Sequence, residues 1–225
     1  MRKGNEAMRF TRIIAGTITA GLVGLVPVAV SSPANATVNL TTTTTVSTYS
    51  EVPITYGDEI TLTAAVAGSD GASAYKGTVT LLQSTSAVPA WTPVATGTST
   101  YESFEVKPTA NTAYKIAYSG YTATSTYENN YAPSESAPFA VPVMRKAAFK
   151  TKDLLLIGKI TPDFGGKKVV LKQKKGKKYV AWKKVKTNKL GQFQVKAPNK
   201  SGFKFTVTIP SDANYVGFTK PYQVY

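Results

Sequence analysis

The chain has 225 residues, 42% hydrophobic and 17% charged, too apolar for a disordered polypeptide and long enough for one large or two small domains. It has no cysteine and no histidine, which excludes thiol catalysis, disulfides, cysteine–histidine zinc sites and histidine acid–base chemistry. Its formal net charge of +15 is spread unevenly along the chain.

The first element read is a leader. Arg2, Lys3, Arg9 and Arg12 precede an uncharged, mostly apolar run at 13–30, and "SSPANA" at 31–36 ends in Ala34-x-Ala36. That is the pattern of a secretory signal peptide, with Met8 as an alternative start. The run is nearly long enough to span a membrane. Its glycines, its threonines and Pro27 favour a cleaved signal over a retained anchor. Residues 1–36 are therefore set aside, and the remaining chain is expected to be secreted or extracellular. No second long apolar run follows, so no transmembrane span is expected after cleavage.

The threonine run at 41–45 reads as a leading edge strand or a linker. At 60–66, Ile60, Leu62, Ala64 and Val66 alternate with Thr61, Thr63 and Ala65, the period-2 pattern of a half-buried strand. Further strands are expected at 78–83, 91–96, 104–106, 114–118 and 137–143. A second series follows at 154–160, 168–174, 179–185, 192–195, 204–209 and 222–225. Gly and Pro clusters at 68–73, 162–166, 190–193 and 209–215 punctuate them.

The two series repeat one set of landmarks. "GTVTLLQSTSAVPAWTPVAT" at 77–96 parallels 166–187, matching Gly77 with Gly166, Leu81 with Leu171, Gln83 with Gln173 and Trp91 with Trp182. "FEVKP" at 104–108 parallels "FQVKAP" at 193–198. "YKIAY" at 114–118 parallels "FKFTV" at 203–207, and "NNY" at 129–131 parallels "ANY" at 213–215. The expected organisation is an all-β chain: a signal peptide at 1–36, then two tandem antiparallel β-sandwich modules at 37–143 and 144–225. Trp91 and Trp182 are the expected core anchors.

These landmarks resemble the immunoglobulin-like modules repeated in secreted actinobacterial proteins. The resemblance lies in Tyr56-Gly57 ahead of Leu62, in Gly77-x-Val79-x-Leu81, in the Trp-x-x-Val-x-Thr spacing, and in Gly191 before Phe193 and Val195. The first copy lacks the turn glycine, and the second lacks Tyr-Gly. The resemblance implies an Ig-like fold serving as a spacer, adhesin or binding appendage.

Charge separates the copies. Residues 37–143 carry three basic and eight acidic residues, a net −5, whereas residues 144–225 carry twenty basic and three acidic residues, a net +17. Nineteen of those twenty are lysine. Lysine is a mobile point charge suited to phosphate or carboxylate chains, whereas base readers use arginine. Sequence-specific nucleic acid is therefore not expected. Anionic cell-wall polymers, anionic lipid headgroups or an acidic protein surface fit, and non-specific extracellular DNA remains open. A simpler alternative has the lysines only solubilise strands and block edge pairing. Another has the acidic module dock on the basic one.

The densest stretch, 166–187, supplies the candidate polyanion-binding residues Lys167, Lys168, Lys172, Lys174, Lys175, Lys177, Lys178, Lys183, Lys184 and Lys186. Val169 and Leu171 should face the core, with Lys168, Lys172 and Lys174 outward and Val170 among them. "KKGKK" at 174–178 should turn at Gly176. On the return strand, Val180 and Trp182 should share one face and Tyr179, Ala181 and Lys183 the other. A bulge near 183–184 would bring Val185 onto the face of Trp182.

Tyr118, Tyr121 and Tyr127 are candidate glycan or partner contacts, and Tyr114 a core residue. The close carboxylates Asp58/Glu59 and Glu102/Glu105 do not make a glycosidase pair. A lone Asp70 in "SDG" is no calcium cage. No catalytic set, metal site or cofactor is implied. The sequence thus describes a secreted, non-enzymatic protein whose basic module associates with anionic envelope polymers or an acidic partner. The alternative is an adhesive or spacer module with no polyanion role.

Overall fold

Side-chain alternation shapes the strands. In the strand Ile60–Gly68, residues Ile60, Leu62, Ala64 and Val66 are buried and Thr61 is exposed. The computed structural model describes residues 37–225, so the expected signal peptide lies outside the described residues. In chain order the strands are β1 (Asn39–Leu40), β2 (Thr42–Ser47), β3 (Ile54–Thr55), β4 (Ile60–Gly68), β5 (Val79–Thr85), β6 (Thr92–Gly97), β7 (Tyr101–Val106), β8 (Thr112–Tyr118), β9 (Asn130–Tyr131), β10 (Ser134–Glu135), β11 (Phe139–Val141) and β12 (Val143–Met144). They continue as β13 (Lys146–Lys152), β14 (Leu155–Thr161), β15 (Lys168–Lys175), β16 (Lys178–Lys186), β17 (Gln192–Lys196), β18 (Lys204–Ile209) and β19 (Phe218–Gln223). No helix occurs among the described residues.

One strand order occurs twice. The N-terminal half has a sheet β2-β4-β7 facing a sheet β10-β8-β5-β6, in which β11 also pairs with β8. The C-terminal half has β13-β14-β17 facing β16-β15-β18-β19. This is an antiparallel Ig-like sandwich in each half. The threonine run is the edge strand β2, and Lys146–Lys152 forms an edge strand that alternation alone did not suggest.

Each half has its own core. The first is built on Ile60, Leu62, Val79, Leu81, Tyr114 and Ile116, and the second on Leu156, Ile160, Val169, Leu171, Phe205, Val207 and Ile209. Burial stabilises by roughly 1.5–3 kcal/mol per large apolar side chain, which matters in a chain without disulfides. In the second core, Phe193 lies opposite Gly158, where an added Cβ would collide with the ring. Gly191 turns the chain before Phe193 at φ 72°, where an added Cβ would collide with the Ile160 carbonyl.

The tryptophans correct the expected core. Trp91 is half-buried outside both clusters. Trp182 sits at the margin of the second core, edge-on to Phe203 and Phe205 at 5.2 and 5.5 Å between centroids. Nor do they occupy equivalent places. Gln83 faces Thr92 and Gln173 faces Val180, which makes Tyr179 the register counterpart of Trp91. Likewise Leu81 faces Ile116 and Leu171 faces Val207, so Tyr114 corresponds to Phe205 rather than to Phe203.

Both halves share a bulge at one place. Leu81 faces Ala95 and Leu82 faces Pro93, leaving Val94 as the extra residue. Leu171 faces Lys183 and Lys172 faces Ala181, leaving Trp182 extra. The bulge therefore comes one residue earlier than expected. It moves Lys183 off the face of Tyr179 and Ala181, and it sets Val185 opposite Val169 on the core side.

The described residues form one compact unit, and the halves meet through aromatic and amide contacts. Tyr215, in the β18–β19 loop, is buried within the N-terminal core cluster and donates its hydroxyl to the Thr109 carbonyl at 2.8 Å. The Asn111 amide donates to the Asn214 carbonyl, and the Val216 amide to the Val143 carbonyl. The Arg145 guanidinium stacks 4.1 Å from the Tyr215 ring centroid and 5.2 Å from that of Phe164. Among the described residues every ion pair lies within one half, so charge attraction does not make this joint.

Candidate polyanion-binding face

Directly opposed residues of an antiparallel pair share a face. On β15, Lys168, Val170, Lys172 and Lys174 alternate outward while Val169 and Leu171 are buried. Their partners on β16 are Lys186, Lys184, Ala181 and Tyr179. Across β15, Val170 faces Thr208 and Lys172 faces Thr206, which places Lys204 on the same outer face. This face therefore carries Lys168, Lys172, Lys174, Lys184, Lys186 and Lys204, all exposed. Lys168 stands directly opposite Lys186, an arrangement that opposes folding by like-charge repulsion.

The expected hairpin turn forms at Gly176 and Lys177, with Gly176 at φ 59°. Lys175 and Lys178 close the ladder beside it. Lys183 lies opposite Leu171 on the other side of the sheet, its ammonium 5.0 Å from the Trp182 ring centroid. Lys167 is exposed but engaged, its ammonium 2.7 Å from Asp212.

The carboxylates of this half stand apart from the face. Asp153 and Asp163 occupy turns with φ 51° and 47°. Asp212 is held by Arg145 at 2.6 Å and by Lys167. Burial alone would raise the Asp212 carboxyl. Hydrogen bonds from Lys167, Arg145 and the Asn214 amide overcome it and hold the pKa at about 2.

The equivalent face of the N-terminal half is nearly neutral. Thr78, Thr80, Leu82 and Ser84 occupy the positions of Lys168, Val170, Lys172 and Lys174, and Thr80 faces Thr96. Its one lysine, Lys115, is bound to Glu135 at 2.6 Å and lies 4.9 Å from the Trp91 ring centroid.

The opposite sheet of the C-terminal half is also basic. Lys146, Lys150, Lys152, Lys159 and Lys196 project from the outer face of β13-β14-β17. These residues and Lys204 were outside the expected set. An alternation of lysine with Ala147 and Phe149 at 146–152 was the signal available.

The three candidate tyrosines diverge. Tyr118 is buried in the first core and donates its hydroxyl to the Lys76 carbonyl, so it makes no surface contact. It shares the inward parity of Tyr114 and Ile116. Tyr121 is half-buried, and its hydroxyl donates to Glu128 at 2.6 Å. Hydrogen bonds from Lys76, Tyr121 and the Thr124 amide hold the Glu128 carboxyl at about 2. Tyr127 is 84% exposed, in the loop before β9.

No protein-family model and no curated protein matches the chain. Solved structures similar at a low level include the following two. One is the crystal structure of the chicken CNTN1 FN1-FN3 domains, at 13% identity and a TM-score of 0.31, covering 81% of this chain and 65% of that one. The other is the human OSCAR ligand-binding domain, at 9% identity and a TM-score of 0.31, covering 84% and 100% respectively. The Ig-like assignment rests on the duplicated strand order and not on these likenesses.

Proposed function

We propose that the chain is a secreted, non-enzymatic binding protein whose C-terminal sandwich associates by charge with anionic cell-envelope polymers or an acidic partner surface. The observation that carries this reading is the contrast between equivalent faces. One fold, in one register, presents six lysines and no carboxylate in one copy, and threonine, serine and one neutralised lysine in the other. Solubility does not require the facing pair Lys168 and Lys186, which costs stability. A field of this sign steers polyanions toward the surface and is screened within about 8 Å at physiological salt.

The test is co-sedimentation of the chain with purified cell walls across a salt series. Binding should fall steeply as salt rises, and substituting Lys172→Glu, Lys174→Glu, Lys177→Glu and Lys178→Glu together should abolish it. Salt-independent binding, or none, refutes the proposal. The spacer or adhesive reading draws on a different observation: β13 and β16 are open edges studded with lysine, the usual guard against edge-to-edge pairing. On that reading the four substitutions leave localisation unchanged.

A further inference from the structure

One aromatic ring stands among the lysines of the outer face. Tyr179 lies directly across from Lys174 and is 41% exposed. The next residue on the same face of its strand is Ala181, directly across from Lys172. The alanine methyl leaves the flank of the ring clear, so Tyr179, Ala181, Lys172 and Lys174 form a shelf with an aromatic end and a cationic side. In the N-terminal half the register counterpart of Tyr179 is Trp91, whose ring centroid lies 4.9 Å from the Lys115 ammonium. An aromatic side chain thus recurs at one place on the outer face of both sandwiches, with lysine on a neighbouring strand in each. Residue matching had paired Trp91 elsewhere.

We infer that this place is a platform for a sugar ring, and that the C-terminal copy takes an anionic polysaccharide. The inference rests on the proposed charge-driven binding and narrows its ligand. The face of an aromatic ring is electron-rich and meets the polarised C–H edge of a pyranose. Lys172 and Lys174, across the ladder from Ala181 and Tyr179, meet a carboxylate or phosphate borne by that sugar. A bare polyphosphate or an acidic peptide needs the lysines but offers no pyranose to Tyr179. At Trp91 the neighbouring Lys115 is already bound to Glu135, so that copy has no free cation for an acidic sugar.

The experiment compares two polymers at equal charge concentration: polygalacturonate, with a carboxylate on every pyranose, and linear polyphosphate, with no ring. Binding of the chain is measured for the wild type, Tyr179→Ala and Tyr179→Phe, with thermal melts to confirm that each variant folds. Tyr179→Ala should weaken polygalacturonate binding about three- to tenfold while changing polyphosphate binding less than about twofold. Tyr179→Phe should keep both. Equal losses on the two polymers, no loss on polygalacturonate, or binding of polyphosphate alone overturns the inference and leaves the charge-driven reading standing. Failure of the wild type to bind either polymer overturns both.

Discussion

Arg145→Ala should destabilise both sandwiches at once. The guanidinium is 2% exposed, donates from Nε to the Pro162 carbonyl at 2.9 Å and from Nη2 to Asp212 at 2.6 Å, and is sandwiched between Phe164 and Tyr215. Breaking a buried ion pair costs about 3–5 kcal/mol. Two features lower that figure. Asp212 is 33% exposed and keeps Lys167, and Arg145 Nη1 is buried with no partner, an existing penalty that the substitution removes. The expected loss is therefore about 2–3 kcal/mol. In urea, with a slope of about 2 kcal/mol per molar, the midpoint should fall by about 1–1.5 M. Tyr215 belongs to the N-terminal core, so losing its stacking partner should also split one cooperative transition into two. Tryptophan fluorescence and far-UV circular dichroism would report this, because Trp91 and Trp182 lie in different halves. A midpoint within about 0.3 M of the wild type, with a single transition, refutes the claim that Arg145 couples the halves.

Other expectations follow from the same geometry. The Asp212 carboxyl is held below its ordinary value, so its contribution is complete above about pH 4 and lost as the pH falls toward about 2; Asp212→Asn should flatten that limb of an acid-unfolding curve. Gly158→Ala should cost about 1–3 kcal/mol by driving a methyl into the Phe193 ring, read as a lower melting temperature; an unchanged melt contradicts the packing. Lys186→Glu replaces a like-charged pair with an opposite one, so it should stabilise by about 0.2–1 kcal/mol while weakening wall binding. Opposite signs in those two measurements are the mark of a residue kept for binding.

Much of the architecture was legible because it follows parity. Ile60 to Val66, Val169 and Leu171 read correctly from alternation, and Gly176 marked its turn. Tyr118 was legible by the same rule, since it shares parity with Tyr114, but its hydroxyl and its place among other tyrosines suggested a surface role. The edge strand 146–152 hid because only Ala147 and Phe149 mark its inner face while lysine fills the outer one. The last strand was expected at 222–225 and lies at Phe218–Gln223, where Pro221 is tolerated because the strand is an edge. Matching Trp91 with Trp182 failed for a different reason: identical residues can repeat at one spacing while hydrogen-bond register places them three positions apart. Register depends on where the bulge falls, and a one-residue bulge leaves no unique mark in the sequence. The candidate face shared that fate. Lys168, Lys172 and Lys174 follow from the strand, but excluding Lys183 and including Lys204 required the neighbouring strands.

The short parallel pair of β3 with β12 has a mechanical consequence. The Ile54 amide donates to the Pro142 carbonyl at 3.1 Å, and the Tyr56 amide to the Met144 carbonyl at 2.7 Å, just ahead of Arg145. Tension entering β3 from its N-terminal side and leaving β12 toward the C-terminal half would load both bonds together in shear, not one after the other. A chain held at one end by its lysines and pulled at the other would load this clasp once the β1–β9 and β2–β4 pairings ahead of it had given way.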